Sequence, residues 1–207
     1  MYLAVVLAWL LATGPEQPLV ISASGSTVEI SGLTPGHDAV LFGLERDQEA
    51  LQGGTTRLSR LRLQADETGR AVFTAAQPLL PHALWIAADE KSGRHAILAP
   101  PGAELPALPG QTAVARVKSS GDALELPPDL SYVLLIRAGH GVWFGAVADG
   151  GASDDDPLLD GKSRLKPPKL QDADKAAKKD PKKFEKADTI IVVEPVALRY
   201  AVIEVNE

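Results

Sequence analysis

Apolar residues in the first half of this chain come in short runs cut by turn residues, and no sustained helical period links them. PLVISAS and STVEISGL are rich in β-branched residues, meet at Gly25 and stop at Gly32, which predicts two strands around a tight turn. Pro35-Gly36 marks the next turn, because Pro presets φ at the first central position and Gly accepts φ > 0 at the second. DAVLFGLE then reads as a strand buried over most of its length. In TRLSRLRLQAD, Leu61 and Leu63 share one face while Arg60, Arg62 and Gln64 take the other, the period of two expected of a half-exposed strand. ADETGRAVFTA reads as a turn and strand, and HALWIAADEKSGRHAILAPPG as a hairpin turning at Lys91-Ser92-Gly93. About seven strands therefore fall within residues 18–99, the number expected of one β-sandwich.

APPGAELPALPG is too rich in proline to pair as a central strand, and residues 100–110 are expected to link two domains. Beyond it the order of features returns. SGSTVEI at residues 24–30 is answered by SGDALEL at residues 120–126, with Ser, Gly and Glu kept and the apolar positions preserved in kind. Each motif is followed by a Pro-containing turn and an apolar strand. The repeat predicts that Val28, Ile30, Leu124 and Leu126 are core residues of two similar domains, residues 15–99 and 111–207. GVWFGAVADGG is apolar on both faces, with Val142 and Phe144 on one and Trp143 and Val147 on the other, so it is a central or covered strand. DTIIVVEPV and LRYAVIEVNE form a final hairpin, with Pro195 where no ladder N–H is needed.

Charge changes the picture in one segment. Residues 162–187 carry ten Lys/Arg and four Asp/Glu, a net +6; against a total of −6 the rest of the chain is −12. The whole stretch 150–187 is a long charged insertion in the second domain, acidic first and basic afterwards. It is expected to project and to be mobile, since it offers too little apolar surface to offset the entropy of ordering. Residues 170–179 suit a short helix stopped by Pro181. At the other end, Tyr2 to Ala12 are eleven uncharged, mostly apolar residues, too few for a membrane span but suited to an export signal. Residues 1–14 are therefore expected to be a signal peptide, with the mature chain beginning near residues 13–18 and lacking a transmembrane span. The absence of cysteine excludes disulfides, thiolate metal sites and a cysteine nucleophile.

The segment ADETGRAVF, with Asp66, Gly69, Ala71, Val72 and Phe73, resembles the turn and strand of bacterial immunoglobulin-like domains. VEISGLTPGHDAVLFGLE resembles the strand, turn and strand of fibronectin type III-like domains. The resemblance covers residues 18–100, with an echo in the second half, and it implies two antiparallel β-sandwiches of an exported or surface protein. The arrangement of a cysteine pair with a core tryptophan found in antibody domains is missing, and no catalytic residue carries over.

Candidate chemistry is sparse. His37, His82, His95 and His140 show no metal-ligand spacing and sit near predicted turns. No Ser nucleophile elbow and no phosphate loop is present. Asp149, Asp154, Asp156 and Asp160 could hold a calcium ion, although the EF-hand spacing is absent. Lys178, Lys179, Lys182, Lys183 and Lys186 could hold an anionic surface, while a stacking platform for nucleic acid is missing, Phe184 being the one aromatic in the run. Trp85 and Trp143 lie among apolar neighbours and are expected in cores. The expectation is a non-catalytic structural or binding module of the cell envelope, periplasmic, secreted or on the surface. Its partner would be a protein or an anionic envelope polymer, with no specific nucleic-acid binding and no cofactor. The alternative is a β-scaffold hydrolase or cation-binding protein using the Asp149–Asp160 cluster with His140.

Overall fold

The computed structural model describes residues 17–47, 56–105, 117–118, 124–125, 132–148, 151–152, 158, 164–166, 184–185 and 187–206. These residues form strands and turns, with no helix among them and so none long and apolar enough to cross a membrane. The first unit holds β1 (Val20–Ser24), β2 (Thr27–Ser31), β3 (Asp38–Arg46), β4 (Thr56–Gln64), β5 (Ala71–Thr74), β6 (His82–Asp89) and β7 (His95–Leu98). They pair as two antiparallel sheets, β1-β2-β5 and β4-β3-β6-β7. The second unit holds β8 (Val117–Lys118), β9 (Leu124–Glu125), β10 (Tyr132–Arg137), β11 (Gly141–Ala148), β12 (Gly151–Ala152), β13 (Arg164–Leu165), β14 (Thr189–Glu194) and β15 (Arg199–Asn206). Its large sheet runs β12-β11-β10-β14-β15-β8, parallel only between β15 and β8, and β13 pairs with β9.

Much of the strand order of the first unit recurs in the second, although β8 pairs with β15 where β1 pairs with β2. β11-β10-β14-β15 repeats β4-β3-β6-β7, and β9-β13 repeats β2-β5. Val28 and Ile30 are fully buried, Leu124 lies in β9, and Leu126 falls outside the described residues.

Three apolar clusters separate four layers. Ile21, Val28 and Ile30 pack against Leu41, Trp85 and Ala87, which joins the small sheet of the first unit to its large sheet. The other face of that large sheet, through Phe42, Leu44, Leu84 and Ile86, packs on Leu134, Ile136, Ile191 and Val193 of the second unit. The far face of the second unit carries Val133, Leu135, Ile190 and Val192, covered by Leu165 of β13 and its neighbours. Strand side chains alternate between faces, so a strand in an inner layer must be apolar at every position. That is why YVLLIR and TIIVVE read as unbroken apolar runs and why their burial is continuous.

One expectation gains detail and another changes. Residues 100–105, the described part of the expected linker, lie beside β15. The Ala103 carbonyl accepts the Tyr200 N–H at 2.9 Å, and the Leu105 N–H donates to the Tyr200 carbonyl at 2.7 Å. The bonds use non-proline residues between the prolines, so a proline-rich strap still pairs along a strand. The charged insertion, in turn, does not simply project: Leu158, Leu165 and Phe184 are 0%, 1% and 2% exposed and belong to the outer core of the second unit. At these three described positions the stretch is packed, although its average composition is that of a solvated loop. The helix expected over residues 170–179 lies outside the described residues.

Candidate functional site

The face between the two units is where the chain brings its chemistry together, and its geometry follows from one repeated turn. At the end of β6, Asp89 accepts the N–H groups of Lys91 at 2.9 Å and Ser92 at 3.3 Å, and Arg94 reaches its carboxylate at 3.3 Å. At the end of β14, Glu194 accepts the N–H groups of Val196 at 2.8 Å and Ala197 at 3.0 Å, and the Arg199 Nε at 3.0 Å. In both turns the residue before the arginine is left-handed: Gly93 has φ 74° and Leu198 has φ 53°. DEKSGR and EPVALR thus build the same turn, with a buried acid holding two backbone donors and an arginine five residues on.

Counted back from these turns, the ladders match the units position for position. Val40 answers to Tyr132, Phe42 to Leu134, Leu44 to Ile136 and Ile86 to Ile191. All of them but Val40 lie in, or against, the cluster between the units. Each unit therefore buries the same face against the other, the isologous arrangement of a two-fold dimer, here within one chain. The rim repeats the relation. The β6–β7 turn of the first unit meets the β10–β11 turn of the second, where the Gly139 N–H donates to the Glu90 carbonyl at 2.9 Å. The β14–β15 turn meets the end of β3, where Arg46 donates to the carbonyls of Pro195 and Val196.

Near the axis of this relation, matched residues touch. Arg60 pairs with Phe42, and Phe144 pairs with Leu134, so Arg60 and Phe144 occupy equivalent places. The Arg60 guanidinium lies 5.0 Å from the centroid of the Phe144 ring. Phe144 also stacks on Tyr132 at 5.7 Å and meets Phe42 at 5.6 Å.

Beside this aromatic group the two sheets part into an open cleft. One part, about 280 Å³, is lined by Arg60, Arg62, Glu90, His140 and Trp143 among others. An adjoining part of about 350 Å³ adds His37, Asp38 and Lys91. Two histidines from different units thus share one cleft. The carboxylates there are already engaged: Asp38 lies 3.1 Å from Arg62 Nε, and Glu90 accepts the other end of the same guanidinium. The Glu90 hydrogen bond pushes the Arg62 pKa further up, so the guanidinium stays charged. Behind the cleft Asp89 is buried. Burial alone would raise its pKa, but the Thr34 hydroxyl and the N–H groups of Thr34, Ser92 and Lys91 outweigh it and hold the carboxyl below the usual range. The arrangement supplies positive charge, a π face and ion pairs that rigidify the walls. Among the described residues no three His, Asp or Glu side chains converge as metal ligands.

The residues singled out from sequence distribute unevenly. Asp149, Asp154, Asp156 and Asp160 lie outside the described residues, as do Lys178, Lys179, Lys182, Lys183 and Lys186. His37, His82 and His140 are exposed. Trp85 and Trp143 are buried in cores. Sequence reading missed the two matched turns, although an acid and an arginine five residues apart in both final hairpins was the available signal. It also missed the ion cluster at the end of the insertion. There Arg137 grips Asp188 with two bonds of 2.8 and 2.7 Å, reaches Glu185 at 2.9 Å and lies 5.9 Å from the Trp143 ring centroid.

No protein family, curated protein or solved structure matches this chain.

Proposed function

We propose that this chain is a non-catalytic binding or structural module of the cell envelope or surface, built from two fibronectin type III-like sandwiches and exported by its apolar N-terminus. The observation that supports it most is the isologous face: two units that share their central strand order bury equivalent residues, which yields a stiff scaffold. Scaffolds of this kind present loops, and function on them lies in sites grafted onto the fold. The cleft favours recognition over turnover. In it Asp38 and Glu90 both pair with Arg62, so its carboxylates serve to hold the walls. The basic run of the insertion, with Lys178, Lys179, Lys182, Lys183 and Lys186, then makes an anionic envelope polymer the favoured partner.

The test uses the full chain and dextran sulfate as a polyanion probe. Binding should be saturable and should weaken steeply with added salt, as screening shortens to about 8 Å near 0.15 M. Replacing the five lysines by alanine should abolish it. Binding that ignores salt, or that survives the five substitutions, would remove the anionic-polymer reading.

A further inference from the structure

The large sheet of the first unit ends in an open edge beside the cleft. β4 is its outermost strand, nine residues long and paired to β3 at every position without a bulge. Antiparallel strands bond to each other through alternate residues. The Ala65 N–H donates to the His37 carbonyl at 2.9 Å, one step beyond the ladder, which places Leu63, Leu61, Ser59 and Arg57 among the residues bonded to β3. The Glu90 N–H, on the other side of β3, donates to the Asp38 carbonyl at 3.1 Å and fixes the same phase. The backbone N–H and C=O groups of Leu58, Arg60 and Arg62 therefore point away from the sheet. None of them has a backbone partner among the described residues.

The matched edge of the second unit accepts a strand. β11 holds the place of β4 there, and its Val147 and Ala148 pair with β12. β4 has no such cover among the described residues. The two edges also differ in charge: GVWFGAVA has no charged residue, whereas TRLSRLRLQ has three arginines and no acid. Long open edges invite pairing, and the side chains along them decide with what. Two β4 edges in full antiparallel overlap would set one Arg60 opposite the other, which disfavours a second copy of this chain.

β4 also dictates the two faces of an added strand. Leu61 and Leu63 pack against the core between the sheets of the first unit, so residues beside them should be apolar. Arg60 and Arg62 line the cleft, so residues beside them should be acidic. Arg62 already holds Asp38 and Glu90, but Arg60 has the Phe144 ring and no acidic partner among the described residues.

We infer that the free edge of β4 is a docking site for an acidic segment of a partner protein, which adds an antiparallel strand with acidic and apolar residues in alternation. Backbone bonds to Leu58, Arg60 and Arg62 hold the segment, and Arg60 selects its charge.

The test uses the full chain and a heptapeptide of alternating Glu and Val, capped at both ends. Binding should be saturable. It should slow hydrogen exchange at the amides of Leu58, Arg60 and Arg62 and leave those of Leu61 and Leu63 unchanged. Methylating the Glu nitrogens of the peptide, which face β4, should weaken binding about tenfold or more, while methylating its Val nitrogens should not. Arg60→Ala removes the charge and keeps the N–H, and should weaken binding about threefold. Replacing the five lysines of the insertion by alanine should leave the peptide bound, which separates this site from the polyanion reading. Absence of saturable binding overturns the assignment, as does loss of binding in the five-lysine variant. Equal binding of the two methylated peptides, or of a peptide alternating Lys and Val, overturns it too.

Discussion

The turn of residues 89–94 and the turn of residues 194–199 reach one geometry by different means. In the first, Gly93 takes the left-handed position at little steric cost, and the space beside it is filled by the other unit: a Cβ on Gly93 would lie 2.9 Å from the Cβ of Ala138. In the second, Leu198 takes the same position against its own preference, at about 1–2 kcal/mol for a residue with a Cβ. Its side chain is 4% exposed and sits in the cluster between the units. Burying a leucine contributes roughly 1.5–3 kcal/mol, so burial outweighs the backbone strain. The face between the units thus selects glycine on one side and a strained leucine on the other. Two turns of one shape are tuned to a contact that neither makes alone.

The largest expected effects come from emptying that contact. Phe42→Ala should cost about 3–5 kcal/mol in urea unfolding, the range for removing a buried phenylalanine. It should loosen the second unit as well as the first, because Phe42 meets Tyr132 and Phe144. A loss confined to the first unit would break the account of a shared core. Asp188→Ala should cost a comparable amount, about 3–5 kcal/mol, since it leaves Arg137 buried with its main partner gone. Trypsin should then reach the end of the insertion near Phe184 sooner than in the parent chain.

Leu198→Gly sharpens the comparison of the turns. It removes strain and burial together, and the balance predicts a net loss of about 1 kcal/mol. A gain in stability would mean that strain, not burial, dominates there. Gly93→Ala should also destabilise, by strain and by the close approach of Ala138, whereas Gly36→Ala, with open space around its Cβ, meets strain alone and should cost less.

Acid should act through Asp89. Its carboxyl titrates lower in the folded chain than in the unfolded one. Its contribution is therefore full above the unfolded value of about 3.9 and is lost as pH falls through the lower folded value. Asp89→Asn should flatten the stability curve in that window, measured by urea midpoints at successive pH. The smallest effect belongs to Arg60→Ala, about 0.5–1 kcal/mol for an exposed cation over a ring. Phe144→Arg would set two guanidinium groups against each other at matched places and should destabilise more. That asymmetry of Arg against Phe favours pairing of unlike units within one chain over pairing of like ones.

Much of the strand pattern was legible because alternation and turn residues encode it directly. The β4 strand, with Leu61 and Leu63 turned in and Arg60 and Arg62 turned out, follows from period two, and its burial alternates in step. DAVLFGLE, YVLLIR and TIIVVE announce that both faces are covered, but apolar side chains carry no address for what covers them. The stacking of the two units was therefore not readable. Phe184 was read with its lysine-rich neighbours, because composition averages over a window while burial is decided one side chain at a time. Of the candidate site, His140 was legible as a turn residue, but its place beside His37 and Arg62 depends on how two units meet.

The face-to-face contact is tested most directly by a covalent bridge. The chain has no cysteine, so a pair introduced as Gly93→Cys and Ala138→Cys is the only thiol pair present. The two Cβ positions lie within about 1 Å of the spacing a disulfide needs, near 3.8 Å. Mild oxidation of the folded full chain should close the bridge nearly completely, seen as a faster band on a non-reducing gel and the loss of two titratable thiols. Thiols that stay free in the folded chain while each unit retains its strand signature would contradict the isologous face.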